Sequence, residues 1–291
     1  RPELQDREVI QYYFRQYPSR SCERTFVNVY LWSRHYPVTF AVVENTLVFQ
    51  SEGEEIAYSY PLGEPEDVKR AIEFLRVYVK ERQIPFVLFN VTEVQFEQLD
   101  AWYPGEFQIE YNRDIADYVY ESEKLATLAG KKLHAKRNHI NKFLTQYENW
   151  RYEEITKENI ADCLLINRLW YEGKDRSDNE TAQGETLALK RLFDSFEELQ
   201  MKGAIIYVDE KPAAYAVGDA LNDEIFMVHF EKALTRYEGI YALINREFAK
   251  NAAVGFHYIN RQEDIGEEGL RKAKLSYYPE RLGLKITVTL A

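Results

Sequence analysis

Positive charge, cysteine and long apolar runs are all scarce in this sequence, and each shortage removes a class of protein. Lys and Arg number 37 against 48 Asp and Glu, a formal net charge of -11, which argues against a protein that coats nucleic acid or anionic lipid over its whole surface. Only Cys22 and Cys163 are present. Their spacing suits no metal site, and two isolated thiols fit a reducing, cytoplasmic compartment. No stretch approaches the roughly 20 apolar residues of a membrane helix, and Arg1-Pro2-Glu3-Leu4 does not open a secretory leader. The expectation is a soluble protein with no stable membrane insertion and no DNA partner. The chain opens at Arg1 rather than Met, so a few earlier residues, a short strand among them, are expected ahead of a helix near Asp6. Several catalytic signatures are missing too: no Gly-rich Lys-containing phosphate loop, no G-x-S-x-G elbow and no His-Glu-x-x-His. His134 and His139 stand five apart, off a helical metal-ligand face, and no metal is expected.

What is present is ample core material, 45% hydrophobic and 29% charged with 22 Tyr, in the globular range and long enough for about two domains. Aromatic-rich helical stretches around Val9–Tyr17 and Thr25–Tyr36 are followed by strands Val38–Val43 and Thr46–Gln50, with Glu44-Asn45 as a tight hairpin turn. Ile56–Tyr60 is a third strand. Glu64-Pro65-Glu66-Asp67 starts a helix, and Val68, Ile72, Leu75 and Val79 share one of its faces. Pro85–Val91 has the continuous apolar run of a strand buried on both sides. A helix at Glu93–Trp102 and a strand at Ile109–Tyr120 follow.

The second half repeats this order. Thr156 caps a helix burying Ile160, Leu164 and Tyr171; Leu189, Leu192, Phe193, Phe196 and Leu199 mark another, ended by Gly203. Strands are read at Ala204–Val208, Ala213–Ala220 and Glu224–Phe230, then a helix from Gly239 burying Ile240, Leu243, Ile244 and Phe248. Strand Phe256–Asn260, a helix from about Glu267 and strand Lys285–Leu290 complete it. No residue-level identity links the halves, so duplication is read from architecture alone. The expected division is 1–125, a connecting helix within 126–150, and 151–291.

The connecting segment Lys131–Lys142 (KKLHAKRNHINK) holds five Lys or Arg, two His and no acid. As a helix it lines Leu133, Arg137, Ile140 and Leu144 on one side and carries a basic stripe of Lys132, Lys136 and His139. Such a stripe suits phosphates or another anionic substrate without reading sequence. It also reads as a solvated interdomain helix paired to acidic neighbours.

The order meander, helix, strand, helix, strand resembles the GNAT acyltransferase fold, and two joined copies resemble the aminoacyl-tRNA-dependent transferases. More specifically, KKLHAKRNHINKF (Lys131–Phe143), HFEKALTRYEGIYALINREFA (His229–Ala249) and YINRQEDIGEEGLRKAKLSYYP (Tyr258–Pro279) resemble the family of the phosphatidylglycerol lysyltransferase C-terminal domain. The resemblance implies an α/β chain of two tandem GNAT-like domains, each a mixed, mostly antiparallel sheet flanked by helices. It implies transfer of an acyl group from an aminoacyl-tRNA or a coenzyme A thioester to an amine or hydroxyl. The family's best-known relatives also carry a membrane-embedded lipid-flipping region, and these 291 residues contain no such run.

In that fold a loop between strand and helix wraps the donor's pyrophosphate with backbone N–H groups. Here Arg236, Tyr237, Gly239 and Ile240 stand in that loop. Its Q/R-x-x-G-x-G/A pattern keeps Arg236 and Gly239 but ends on Tyr241, and Glu238 adds negative charge. The departure suits an aminoacyl-tRNA donor; the stretch also reads as an ordinary glycine turn. In the first half Tyr60-Pro61-Leu62-Gly63-Glu64-Pro65 has no basic residue, so that copy is expected to be non-catalytic.

The resemblance brings the strand ends of the second half to the reacting carbonyl. It implies Glu231 or His229 as base and Arg261 as the binder of an anionic group, with Asn260, Glu263 and Asp264 beside the substrate. The competing readings are a satisfied core His229, and Arg261 paired structurally to Glu263 or Asp264. Tyr277 and Tyr278 read as core packing or as a phenol that protonates a leaving group. A module that kept this fold, lost the chemistry and binds an anionic ligand through the basic helix is the alternative from another class.

Overall fold

The computed structural model describes residues 1–53, 55–172 and 180–291. Helices α1 (Arg7–Gln16) and α2 (Phe26–Trp32) precede strands β1 (Val38–Val43), β2 (Thr46–Glu52) and β3 (Ile56–Ser59); α3 (Pro65–Arg82), β4 (Val87–Val91), α4 (Glu93–Trp102) and β5 (Phe107–Tyr111) follow. Next come β6 (Asp117–Glu121), α5 (Ser122–Thr127), α6 (His134–Gln146), β7 (Trp150–Glu154), α7 (Ile160–Glu172) and α8 (Glu180–Asp194). The remainder is β8 (Lys202–Val208), β9 (Lys211–Ala220), β10 (Ile225–Ala233), α9 (Ile240–Ala252), β11 (Tyr258–Asn260), α10 (Glu268–Leu275), β12 (Arg281–Gly283) and β13 (Ile286–Leu290).

Local chemistry sets many of these boundaries. Glu44 and Asn45 take φ of 49° and 60°, the left-handed pair that a two-residue hairpin turn needs. Helix α3 starts with Pro65 after an extended Glu64 and carries Glu66 and Asp67 in its first turn, where missing N–H groups and the helix dipole favour them. Its Val68, Ile72, Leu75 and Val79 are buried together with Leu88, Val91, Ile286 and Val288.

The chain divides into two compact units, Arg1–Asp117 with Gly283–Ala291, and Tyr118–Leu282. The first sheet runs β1-β2-β3-β4-β13-β5 and the second β12-β6-β11-β10-β9-β8-β7. In each, an antiparallel meander is followed by one parallel pair, β3 with β4 or β10 with β11, and then an antiparallel strand taken from the other half of the sequence: β13 on β4, β6 on β11. These are the two GNAT-like sheets expected, with their penultimate strands exchanged.

That exchange moves the unit boundaries away from 125 and 150, and it sends the last strand of the chain to the first sheet. Ile109–Tyr120 is two strands separated by a short turn at Arg113–Ile115, because its two ends belong to different sheets. The segment 126–150 is part of the second unit, where Leu133, Ile140 and Phe143 share a core with Ile240, Leu243, Ile244 and Phe248 of α9. Each large apolar side chain so buried contributes about 1.5–3 kcal/mol. Helix α7 turns a different face inward: Cys163, Ile166 and Asn167 are buried, while Leu164 is 42% exposed. Gly203 lies within β8 rather than ending α8. Among the described residues no helix is long and apolar enough to cross a membrane.

Candidate functional site

Strand β10 outruns its parallel neighbour. It pairs with β11 only from Ile225 to Met227 yet continues to Ala233, and its register against β9 shifts between Val228 and Phe230. Such a bulge re-aims the side chains that follow. The end of β10 is thereby left without a strand on the β11 side, and Glu231 sits in the resulting wedge. Its two carboxylate oxygens accept from Arg261 Nη2 at 3.0 Å and from Asn245 Nδ2 at 3.1 Å. The Arg261 and Glu231 side chains are only 11% and 10% exposed.

Arg261 is held from behind by a loop wound on a buried ammonium. Lys274 Nζ donates to the carbonyl of Arg261 at 2.6 Å and to that of Glu263. Asn260 Oδ1 accepts from the Gln262 amide at 2.7 Å, and Gln262 and Ile265 take positive φ. Burial would weaken the hold of Arg261 on its proton, but the Glu231 charge, with Tyr120 and Tyr277 beyond it, raises the pKa instead. Its Nη1 is buried without a hydrogen-bond acceptor, while its guanidinium lies 5.1 Å from the Tyr277 ring.

Lys136 of α6 approaches the same ring, 4.0 Å from the Tyr277 centroid. Partial burial, and then the Arg261 charge, lower its pKa. No hydrogen bond or ion pair to its ammonium is found among the described residues. Lys136, His139, Tyr237, Tyr241 and Tyr277 line a cleft of about 310 Å³ at the start of α9, within the size range of small-ligand sites.

Helix α6 and the residue after it pack against one side of the loop at this helix start. Gly239 adopts φ +87°, and a Cβ there would lie 2.2 Å from the His139 carbonyl oxygen. Lys142 pairs with Glu238 at 2.6 Å, and Tyr147 Oη donates to the Arg236 carbonyl at 3.4 Å. The glycine of the expected phosphate loop is also where the backbone of a helix approaches.

The expected residues thus separate. Glu231, Arg261, Lys136, His139, Tyr237, Gly239 and Ile240 gather around the cleft or the wedge beneath it. His229 does not join them: it is 1% exposed and its Nε2 is 2.7 Å from Asp219, a satisfied interior pair. Arg137 donates to the carbonyls of Leu128 and Gly130, tying down the turn before α6 rather than facing a ligand. Lys132 precedes α6, its ammonium 5.3 Å from the exposed Tyr278 ring, so the basic stripe is helical only from His134 onward. Arg236 is exposed beside Tyr237.

Asn260 and Asp264 are fully buried and shape the loop. Arg271 donates to Asp264 through Nε and Nη2 at 2.9 and 2.7 Å, and Tyr118 Oη and the Gly266 amide add two more bonds. Burial pushes the carboxyl pKa up; the bonds from Arg271, Tyr118 and Gly266 overcome this and hold it well below the usual range. Unfolded aspartate titrates near pH 4, so the stability from this group is complete above about pH 5 and is lost as pH falls below that. The gap between the urea midpoints of Asp264→Asn and the unaltered protein should therefore narrow, without closing, as pH falls from about 6 to about 3. A constant gap would contradict the pairing.

Sequence reasoning passed over Asn245, Lys274 and Tyr120. The first carried a signal, an amide in the middle of the otherwise apolar face of α9, where it is 3% exposed.

The chain is similar to several known proteins. A conserved protein of unknown function from Bacteroides thetaiotaomicron has a crystal structure matching at TM-score 0.94 and 38% identity, over 99% of this chain and 98% of that one. The structure of L-PGS from Bacillus licheniformis shares the fold at TM-score 0.66 and 10% identity, over 99% of this chain and 92% of its own. An uncharacterized protein of Mycoplasmoides gallisepticum is 27% identical over 200 residues, 66% of this chain, which spans 60% of that relative's length. Residues 14–288 match one family, and the chain belongs to it: the family described as phosphatidylglycerol lysyltransferase, C-terminal.

Proposed function

We propose that the second unit is an acyltransferase site, moving an aminoacyl or acyl group to an amine or hydroxyl acceptor. The observation that carries this reading is the buried Arg261–Glu231 pair in the wedge of β10, next to an ammonium, Lys136, that faces the cleft. Arg261 and Lys136 stabilise the negative oxygen that develops when an acceptor attacks an acyl carbon, and partial burial strengthens that effect. The nitrogen of the resulting adduct is strongly acidic. Glu231 keeps unused lone pairs on both oxygens and takes that proton even while paired to Arg261.

The chemistry of the loop supports a preference among donors. Glu238 puts negative charge beside the cleft at the start of α9, and Tyr241 stands where the loop pattern has a small residue, which together disfavour the pyrophosphate of a coenzyme A thioester. An aminoacyl-tRNA presents its ester at a strand end and spreads its phosphates, which suits the exposed basic residues around α6. The relatives named for lysyl transfer to phosphatidylglycerol make that lipid one acceptor to include. The test is transfer of radiolabelled acyl groups from charged tRNAs and from acyl-coenzyme A to amines, hydroxyl compounds and lipid vesicles. Absence of turnover with all of them would sink this reading.

The two bonds that Glu231 already accepts also favour a second reading, a module that binds an anionic ligand through the basic segment without chemistry. One comparison separates them. Lys132→Ala/Lys136→Ala should weaken tRNA binding about tenfold at moderate salt and flatten its salt dependence, whereas Glu231→Gln should leave affinity in place and lower turnover. Turnover untouched by Glu231→Gln would remove that residue from the chemistry; affinity untouched by the double substitution would remove the basic segment from binding.

A further inference from the structure

One cleft group has a proton with no acceptor among the described residues. Tyr241 stands at the last position of the loop pattern, where a small residue is expected, and its side chain lines the cleft with Lys136 and Tyr277. Its Oη accepts a short hydrogen bond, 2.6 Å, from Trp170 Nε1 of α7. An indole N–H only donates, so the phenol must be the acceptor in that bond. Among the described residues nothing accepts the phenol's own hydrogen. Burial raises its pKa, against the opposing effect of the Trp170 bond, so it stays protonated at neutral pH. A hydroxyl that accepts hydrogen bonds is polarised toward donating its own. The arrangement is an oriented proton donor directed by its neighbours, whereas the Tyr277 ring is engaged through its face by Lys136 and Arg261.

We propose that Tyr241, held by Trp170, is the catalytic acid that protonates the leaving oxygen of the acyl donor. This rests on the transferase reading above. The acceptor nitrogen forms its bond to the acyl carbon, and the adduct gives one proton to Glu231. The bond from the acyl carbon to the donor oxygen breaks, its electron pair goes to that oxygen, and the oxygen takes the Tyr241 proton. The proton held by Glu231 returns through solvent to the Tyr241 phenolate, so no proton is gained or lost beyond the transfer itself. Trp170 is a positioning residue.

The experiment compares two donors of one acyl group: an alkyl ester, the aminoacyl-tRNA, and a nitrophenyl ester, whose leaving group departs without a proton. Tyr241→Phe should lower kcat with the alkyl ester about a hundredfold or more, the usual worth of a general acid, with KM little changed, and should leave the nitrophenyl ester within about threefold of the unaltered enzyme. Trp170→Phe should show the same pattern more weakly. Thermal midpoints of both variants are read alongside. Equal losses on both donors, no loss on the alkyl ester, or the selective pattern in Tyr277→Phe instead would each overturn the assignment while leaving the transferase reading intact. If the unaltered enzyme transfers from neither donor, the transferase reading falls and the role of Tyr241 with it.

Discussion

Gly239→Ala is expected to lose about 3 kcal/mol or more of stability, far beyond an ordinary glycine substitution. Two causes add. At φ +87° any residue with a Cβ is strained by about 1–3 kcal/mol. The new carbon would also stand 2.2 Å from the His139 carbonyl oxygen and 3.1 Å from the Phe143 Cβ, an overlap with backbone that no rotamer change relieves, and overpacking of this kind costs about 1–3 kcal/mol. Gly255→Ala is the control, since it has φ +89° and nothing within 4 Å of its added carbon. It carries the strain without the clash. Urea unfolding followed by tryptophan fluorescence should show Gly239→Ala unfolding at clearly lower denaturant than Gly255→Ala. Equal midpoints would mean that α6 is free to move off α9.

Much of the fold was legible because it is written in short-range chemistry. The positive-φ pair Glu44-Asn45, Pro65 at the start of α3, and the apolar faces of α3 and α9 depend on neighbours within a few residues. The exchange of β6 and β13 was not legible. Val288 would bury its side chain equally well in either sheet, and only pairing with β4 and β5 shows which. At the site, Glu231 and Arg261 were readable as charges at strand ends. The sequence could not separate them from His229, because alternation along β10 fails at the shift between Val228 and Phe230. The loop after β10 was found for its glycine, but one reason for the glycine was not legible. It meets a helix from earlier in the chain, and no local pattern reports that.

Arg261→Met should cost about 3 kcal/mol of stability and abolish transfer. The stability loss comes mainly from what remains: removing one member of a buried pair strands the other charge, at about 3–5 kcal/mol. Glu231 would keep its bond from Asn245 and the more distant charge of Lys136, which places the expected loss at the low end of that range. If this is the cause, Glu231→Leu in the same chain should restore most of the stability, since replacing both members of a buried pair by apolar groups is often neutral. The double variant then separates two roles that each single variant confuses. Unfolding midpoints and transfer rates of all four proteins form one cycle. A double variant that is stable and inactive identifies the pair as chemistry that the fold tolerates but does not need. A double variant as unstable as Arg261→Met would show that the Lys274 loop depends on the guanidinium, and a stable double variant that still transfers would move the reaction away from this wedge.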